Sequence, residues 1–191
     1  MPVTDRPLWQ VALGFALLAA AAAASVFAAP GPEGLFGALL AALMLAIAVI
    51  DSERYIIPNE LTGAALVLAL LRAGLVGPEA DWHAVIWAAF RAIAITLPLL
   101  LLMFGYRRWR GRDGLGLGDI KLAAVAGAWL GFVTIFAAIE LATLSALAAY
   151  AVNAWWRKRP LRTTAFLPFG AFLAPAIWIG WLAEALLNQG A

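Results

Sequence analysis

Ile120-Lys121-Leu122-Ala123-Ala124-Val125-Ala126-Gly127-Ala128-Trp129-Leu130-Gly131-Phe132-Val133 opens an apolar stretch that runs on to Trp156. How often this stretch crosses a bilayer decides the fold. As one helix, rising 1.5 Å per residue, it would be roughly 55 Å long, against a hydrocarbon core of about 30 Å. Two shorter spans turning near Gly131 fit. Charge arbitrates between one crossing and two. The basic loop Arg107-Arg108-Trp109-Arg110-Gly111-Arg112 precedes the stretch, and Arg157-Lys158-Arg159-Pro160-Leu161-Arg162 follows it. Short positive loops stay on the cytoplasmic side, and both do so only if the stretch crosses an even number of times. Two spans satisfy the charges.

Further apolar runs cover about Leu8–Ala29, Leu35–Ile50, Leu61–Val76, Ala84–Tyr106 and Ala165–Leu187, separated by breaks rich in Pro and Gly. The first resembles a secretory signal, with Arg6 ahead of it and Val26-Phe27-Ala28-Ala29 at its end. At about 22 residues it exceeds a signal core and reads as a retained span. The expected fold is therefore all-α, a polytopic membrane bundle of about seven helices with a cytoplasmic N-terminus. It forms one integral-membrane domain over 1–191, with an extra N-terminal span at 8–29 and a core of about 35–187. The outer loops, Pro30–Gly34 and Gly77–His83, carry Glu33, Glu79 and Asp81 and no Lys or Arg, which agrees with that orientation. Trp9, Trp82, Trp109, Trp155 and Trp156 fall at predicted boundaries, where amphipathic rings anchor.

Composition supports lipid as the solvent. The chain is 65% hydrophobic and 13% charged, with a mean hydropathy of +0.92, whereas a soluble domain is about 25% charged. The net charge of +2 lies in short loops and reads as a topology signal rather than a nucleic-acid surface. With no cysteine, thiolate chemistry and cysteine-ligated zinc are excluded. The single histidine, His83, reads as an interfacial loop residue, so no metal site is expected. Arg91 and Glu140 fall inside predicted spans, where a structural salt bridge or snorkelling is the expected role.

Two aspartates carry the chemical signal. Asp51 ends the second span, in Ile50-Asp51-Ser52-Glu53-Arg54-Tyr55-Ile56-Ile57-Pro58-Asn59, and Asp119 opens the fifth, in Gly116-Leu117-Gly118-Asp119-Ile120-Lys121-Leu122. Two complete spans separate them, so both lie on the cytoplasmic side. Either has a structural reading: Asp119 as a helix N-cap, Asp51 as the partner of Arg54 where a helix leaves the membrane. Together they form an acid–base pair. One ionised carboxylate removes a proton from water while its protonated partner hydrogen-bonds a scissile carbonyl, because adjacent carboxylates do not both ionise cheaply. Gly116 and Gly118 permit close backbone approach beside a cavity. Pro58 and Asn59 start the next helix sharply, with Asn59 as a cap. Lys121 either stabilises charge near the site or snorkels to headgroups.

These segments resemble the type IV prepilin peptidases, membrane aspartyl proteases of the Gly-x-Gly-Asp type. Asp51 with Ile57-Pro58-Asn59 and Leu61-Thr62 resembles the first catalytic segment. Gly116 to Leu122, followed by Gly127-Ala128-Trp129-Leu130-Gly131, resembles the second. Leu167-Pro168-Phe169-Gly170-Ala171-Phe172-Leu173-Ala174 resembles the segment that opens the last span. The resemblance implies that Asp51 and Asp119 are the catalytic pair, with Gly116 and Gly118 shaping the loop that presents Asp119. It implies removal of a short basic leader, after a glycine, from prepilins or pseudopilins at the cytoplasmic face of the bacterial inner membrane. Its implied partners are those substrates, the pilus or type II secretion machinery, and the bilayer. Pro168, Phe169 and Gly170 receive only a place near the core.

Larger members carry a cysteine-rich zinc segment after the first span, and many N-methylate the new terminus. Here Pro30–Gly34 is a short loop without cysteine, so proteolysis is expected to need no cofactor. S-adenosylmethionine enters only with methyl transfer. The short form looks like peptidases serving tight-adherence pili, or a core-only relative. Two rival classes are a small transporter or channel and a non-catalytic pilus-assembly membrane protein. The first wants a polar stripe along several spans, where this chain has mostly Ala, Leu, Val and Ile. The second is disfavoured by the intact aspartate pair. A presenilin-like protease wants Tyr-Asp, and Ile50 precedes Asp51.

Overall fold

Backbone N–H and C=O groups find no water in hydrocarbon, so a chain of this apolarity closes its hydrogen bonds within helices. The computed structural model describes residues 7–76, 81–111, 116–158 and 167–189. Arg6, Gly77–Ala80, Arg112, Arg159–Arg162 and Ala165 lie outside the described residues. The helices are α1 (Leu8–Ala28), α2 (Pro32–Arg54), α3 (Asn59–Leu75), α4 (Trp82–Arg110), α5 (Leu117–Trp129), α6 (Phe132–Trp156) and α7 (Gly170–Asn188). No strand occurs among the described residues. The protein is a polytopic membrane helix bundle.

Five helices, α1, α2, α4, α6 and α7, are long and apolar enough to cross a membrane. The other two of the seven expected spans are shorter: α3 has 17 residues and α5 has 13. The 120–156 stretch breaks at Leu130 and Gly131, and Gly131 serves as N-cap of α6. Its first half is the most enclosed element of the bundle. Ile120, Leu122, Ala123 and every residue from Val125 to Trp129 are buried. Helices α3, α4 and α7 pack around it, while α1 packs only on α2 and α7 at the periphery. A helix surrounded by protein need not be long enough to meet both headgroup layers, which is why α5 can stop short.

Packing follows the membrane rule that small residues let backbones approach. Ala65, Ala69, Ala88, Ala92, Ala126, Ala138 and Ala142 are buried between helices, and Leu40, Met44, Ile47, Trp129, Ile177 and Trp181 fill the remaining space. Leu8, Phe15, Leu101, Leu102, Val133 and Phe136 point outward, as lipid-facing residues do. All five expected anchor tryptophans are exposed near helix ends.

Three expectations change. His83 lies in the first turn of α4 rather than in a loop, and Asp81 caps that helix by accepting the His83 N–H at 2.8 Å. Arg91 forms no salt bridge among the described residues; it donates to the Gly127 and Ala128 carbonyls. Glu140 is exposed on the outer side of α6.

Chain direction brings the end of α2 and the starts of α3, α5 and α7 to one end of the bundle. The opposite end carries the start of α2 and the ends of α3, α5 and α7. Both aspartates belong to the first end.

Candidate active site

Asp51 sits three residues before the end of α2, 5% exposed. The helix stops at Tyr55, whose left-handed conformation (φ 55°, ψ 34°) lets its N–H close on the Asp51 carbonyl at 2.9 Å. Side chains other than glycine adopt this conformation at a cost, so the turn is held by its surroundings. It sends Ile56 outward and Ile57 inward, and Pro58 then precedes the first residue of α3 with its fixed φ. Pro58 is the N-cap of α3. Asn59 is already helical, and its Oδ1 accepts from Lys121 Nζ at 2.5 Å. Asn59 thus ties α3 to α5 instead of capping, and Lys121 is engaged in that tie at an exposed position.

Asp119 lies in the first turn of α5, third in the helix after the N-cap Gly116, and α5 carries no side-chain cap hydrogen bond. The capping role weighed for this carboxylate is therefore not used. Its Oδ2 lies 3.1 Å from where a Gly116 Cβ would be. Burial first, and then the charge of Asp51, push the Asp119 carboxyl up to about 6. The two carboxylates are close enough to act on one another.

Ile57 wedges between the helices that meet here. A Cβ on Gly118 would approach Ile57 Cβ to 3.1 Å, and one on Gly170 would approach Ile57 Cδ1 to 2.6 Å. Gly170 is needed for close approach and Gly118 eases it, whereas Gly116, with φ −73° and ψ 135°, has an ordinary extended backbone. Gly170 also abuts Asp51, because its Cβ would lie 3.0 Å from Oδ2. The N-terminus of α7 thereby faces this carboxylate, and the Ala171 N–H donates to Asp51 Oδ2 at 2.8 Å. A charge-assisted bond from a helix N-terminus, where the dipole is positive, holds a buried carboxylate in one orientation.

The sequence reading missed this role of Gly170 and Ala171. Pro168, which has no N–H, followed by Phe169-Gly170 at the start of a span, was the available signal of a helix N-terminus with free amides. The Arg54 pairing weighed for Asp51 gives way to these amide contacts. Among the described residues no group of three or more His, Cys, Asp or Glu gathers as a metal site would require.

Two aspartates on separate helices, at one end of a membrane bundle and electrostatically coupled, meet a match in sequence. Residues 38–152 match the type IV leader peptidase family. The chain belongs to that family. Similar proteins include a prepilin leader peptidase/N-methyltransferase of Burkholderia pseudomallei, 37% identical over 178 residues, which are 91% of this chain and 53% of that protein. One of Dickeya chrysanthemi is 34% identical over 154 residues, 80% of this chain and 52% of its own length. One of Escherichia coli is 31% identical over 172 residues, 87% and 73% respectively. The chain spans about half the length of the first two relatives. No solved structure matches it. As a leader peptidase family member it has 115 matched residues (38 to 152 inclusive), running from within α2 into α6 and including both aspartates.

Proposed function

We propose that this chain is an aspartyl endopeptidase of the bacterial inner membrane. It removes the basic leader of prepilins or pseudopilins after a glycine, at the cytoplasmic face. The observation that carries the reading is the coupling of Asp51 and Asp119 at one end of the bundle within a leader peptidase family member. Asp51 is the base. Its Oδ2 is committed to the Ala171 amide, which leaves Oδ1 to take a proton from water. Asp119 is the acid. It passes its proton to the scissile carbonyl oxygen as the water oxygen bonds to the carbonyl carbon, which gives a tetrahedral gem-diol. In its collapse that proton returns to Asp119 as the C=O bond re-forms, the proton taken by Asp51 passes to the departing amine, and the C–N bond breaks. Gly116 and Gly118 present Asp119, and Pro58, Asn59 and Lys121 fix the segment beside it. The leader's positive charge stays on the cytoplasmic side, and the mature hydrophobic helix remains in lipid.

Proteolysis by this route uses no cofactor, so chelation with EDTA is expected to leave the cleavage rate unchanged; clear inhibition would bring in a metal mechanism. Methylation of the new terminus, the second activity in the relatives' name, would draw on S-adenosylmethionine. Pilus or type II secretion machinery would be the downstream partner.

The test is co-expression with a tagged prepilin from the same genome, read by gel shift, N-terminal sequencing and mass analysis of the product. A new terminus directly after glycine supports the reading, and its mass decides methylation. No processing by folded, inserted protein would favour a transporter or a non-catalytic assembly protein. Orientation has its own check in this cysteine-free chain. Cysteines at Ser52 and Arg112 are expected to label from the cytoplasm and one at Glu79 from outside; reversed labelling overturns the topology.

A further inference from the structure

Helix α5 ends inside the bundle, and a helix end leaves four carbonyls without intrahelical partners. Here those four are Ala126, Gly127, Ala128 and Trp129. The Leu130 N–H bonds Ala126 O at 2.9 Å. Arg91 of α4 donates Nε to Gly127 O at 3.2 Å and Nη2 to Ala128 O at 3.5 Å. Arg72 of α3 donates Nη1 to Trp129 O at 3.3 Å. All four carbonyls are met, three of them by arginines, whose charge also suits the negative end of the helix dipole.

The arginines are themselves held. Glu33 of α2 grips Arg72, with Nε to Oε1 at 2.7 Å and to Oε2 at 2.9 Å, and Oε1 also accepts the Trp181 indole N–H of α7 at 2.9 Å. The Arg72 guanidinium stacks 5.3 Å over the Trp129 ring, whose N–H reaches the Ala65 carbonyl at 2.9 Å. Glu184 of α7 accepts the Gly131 N–H at 2.8 Å and is near enough to Arg91, as Arg72 is, to act on its charge. Gly127 lets α4 pass so closely that a Cβ there would meet Ala92 Cα and Arg91 O at 2.8 Å. Arginines of α3 and α4 thus grip one end of α5, and acidic residues of α2 and α7 brace that grip. The other end of α5 carries Asp119.

We infer that Arg91 and Arg72 are positioning residues for Asp119, fixing the short helix α5 by its C-terminal carbonyls so that the carboxylate at its N-terminus stands at the right depth and rotation beside Asp51. Helix α5 is a rod of about 20 Å with Asp119 in its first turn. Unlike the five long helices, it has no headgroup layer at both ends to set its height. The arginines set it instead. The inference rests on the reading of Asp119 as the acid, but the placement of α5 has a readout that needs no activity.

The test uses the full chain in native membranes. Arg91→Met removes every donor and keeps an apolar stem that lipid accepts. Arg91→Lys restores charge and donors. Cysteines at Ile57 and Gly118 report α5 directly, because a Gly118 Cβ would lie 3.1 Å from Ile57 Cβ, close to the 3.5–4.5 Å or so of a disulfide. Arg91→Met is expected to slow that oxidative cross-link several-fold. On the chain without added cysteines it should lower kcat for prepilin cleavage about ten- to hundredfold, with KM changed less than about twofold. Arg91→Lys should recover most of both. Arg91→Gln, read where Arg91→Met does not accumulate, is expected to show the same losses in smaller measure.

Ile139→Ala, a smaller cavity in α6 about two turns beyond Gly131, is the comparator for plain destabilisation and should leave kcat per folded molecule unchanged. Wild-type cross-linking in folded Arg91→Met protein overturns the inference, whatever the peptidase assay shows. So does an equal loss of kcat in Ile139→Ala. Absence of cleavage by the unmodified chain defeats the proposed function instead, and the cross-link then tests the anchor alone.

Discussion

Cleavage by the Asp119→Asn variant is expected to fall about a thousandfold or more, with the protein still inserted and folded. Positioned acid–base groups contribute roughly 10²–10⁴ each, and in the proposed mechanism the two carboxylates act as one unit. Asn keeps the shape of Asp119 but cannot deliver the proton that the carbonyl oxygen needs. Asp51→Asn should cost as much, because an amide cannot take a proton from water. It can still accept the Ala171 N–H through its oxygen, so α7 should stay docked and the loss should be chemical. The double variant should be little worse than either single one, the mark of residues working in one step. Single-turnover cleavage of purified prepilin, beside thermal unfolding of each variant, checks all three. Activity within tenfold of wild type in either single variant would remove that residue from the mechanism.

The span pattern was legible because lipid imposes a simple constraint, an apolar run of sufficient length between polar breaks. The turn at Gly131 follows from the sequence, because a single helix from Ile120 to Trp156 is too long and the basic loops demand parity. What periodicity did not reveal was that α5 is only 13 residues long and enclosed by protein. A helix buried on all sides and one facing lipid carry the same alanines and leucines. The aspartates stood out because carboxylates in an apolar chain are rare, and chain direction alone assigned both to one end.

Their neighbours were harder to read, since each contact bridges distant segments. Asp51 meets Ala171 across 120 residues, Lys121 meets Asn59 across 62, and Arg91 meets Gly127 across 36. Asn59 looked like a cap because its type and place before a helix fit one. Competition from Lys121 and the fixed φ of Pro58 gave it another task. Arg91 looked like a charge seeking a counter-charge. Only the early end of α5 exposes the carbonyls it satisfies.

Gly170→Ala is expected to lower kcat about a hundredfold while leaving substrate affinity nearly intact. The added Cβ would fall 2.6 Å from Ile57 Cδ1, 3.0 Å from Asp51 Oδ2 and 3.1 Å from Asp51 Cγ. Ile57 has rotatable bonds, but it is buried and also packed against Gly118, which limits its retreat. The start of α7 must therefore move away from α2, and the Ala171 N–H moves with it. Asp51 then loses the bond that orients its carboxylate, worth about 1.5–3 kcal/mol for a charged acceptor. A displacement of about 1 Å at a reacting group is enough for a hundredfold loss of rate. The substrate's leader and hydrophobic helix contact other surfaces, so KM should change less than about threefold. Ile57→Ala in the Gly170→Ala background removes the obstructing Cδ1 and should restore part of the rate. Rescue separates steric displacement of α7 from general unfolding, which trimming a buried isoleucine would worsen. Steady-state kinetics of the single and double variants decide it. A Gly170→Ala enzyme with wild-type kcat would show that the N-terminus of α7 does not orient Asp51 for catalysis, and that the close packing of Gly170 serves the bundle alone.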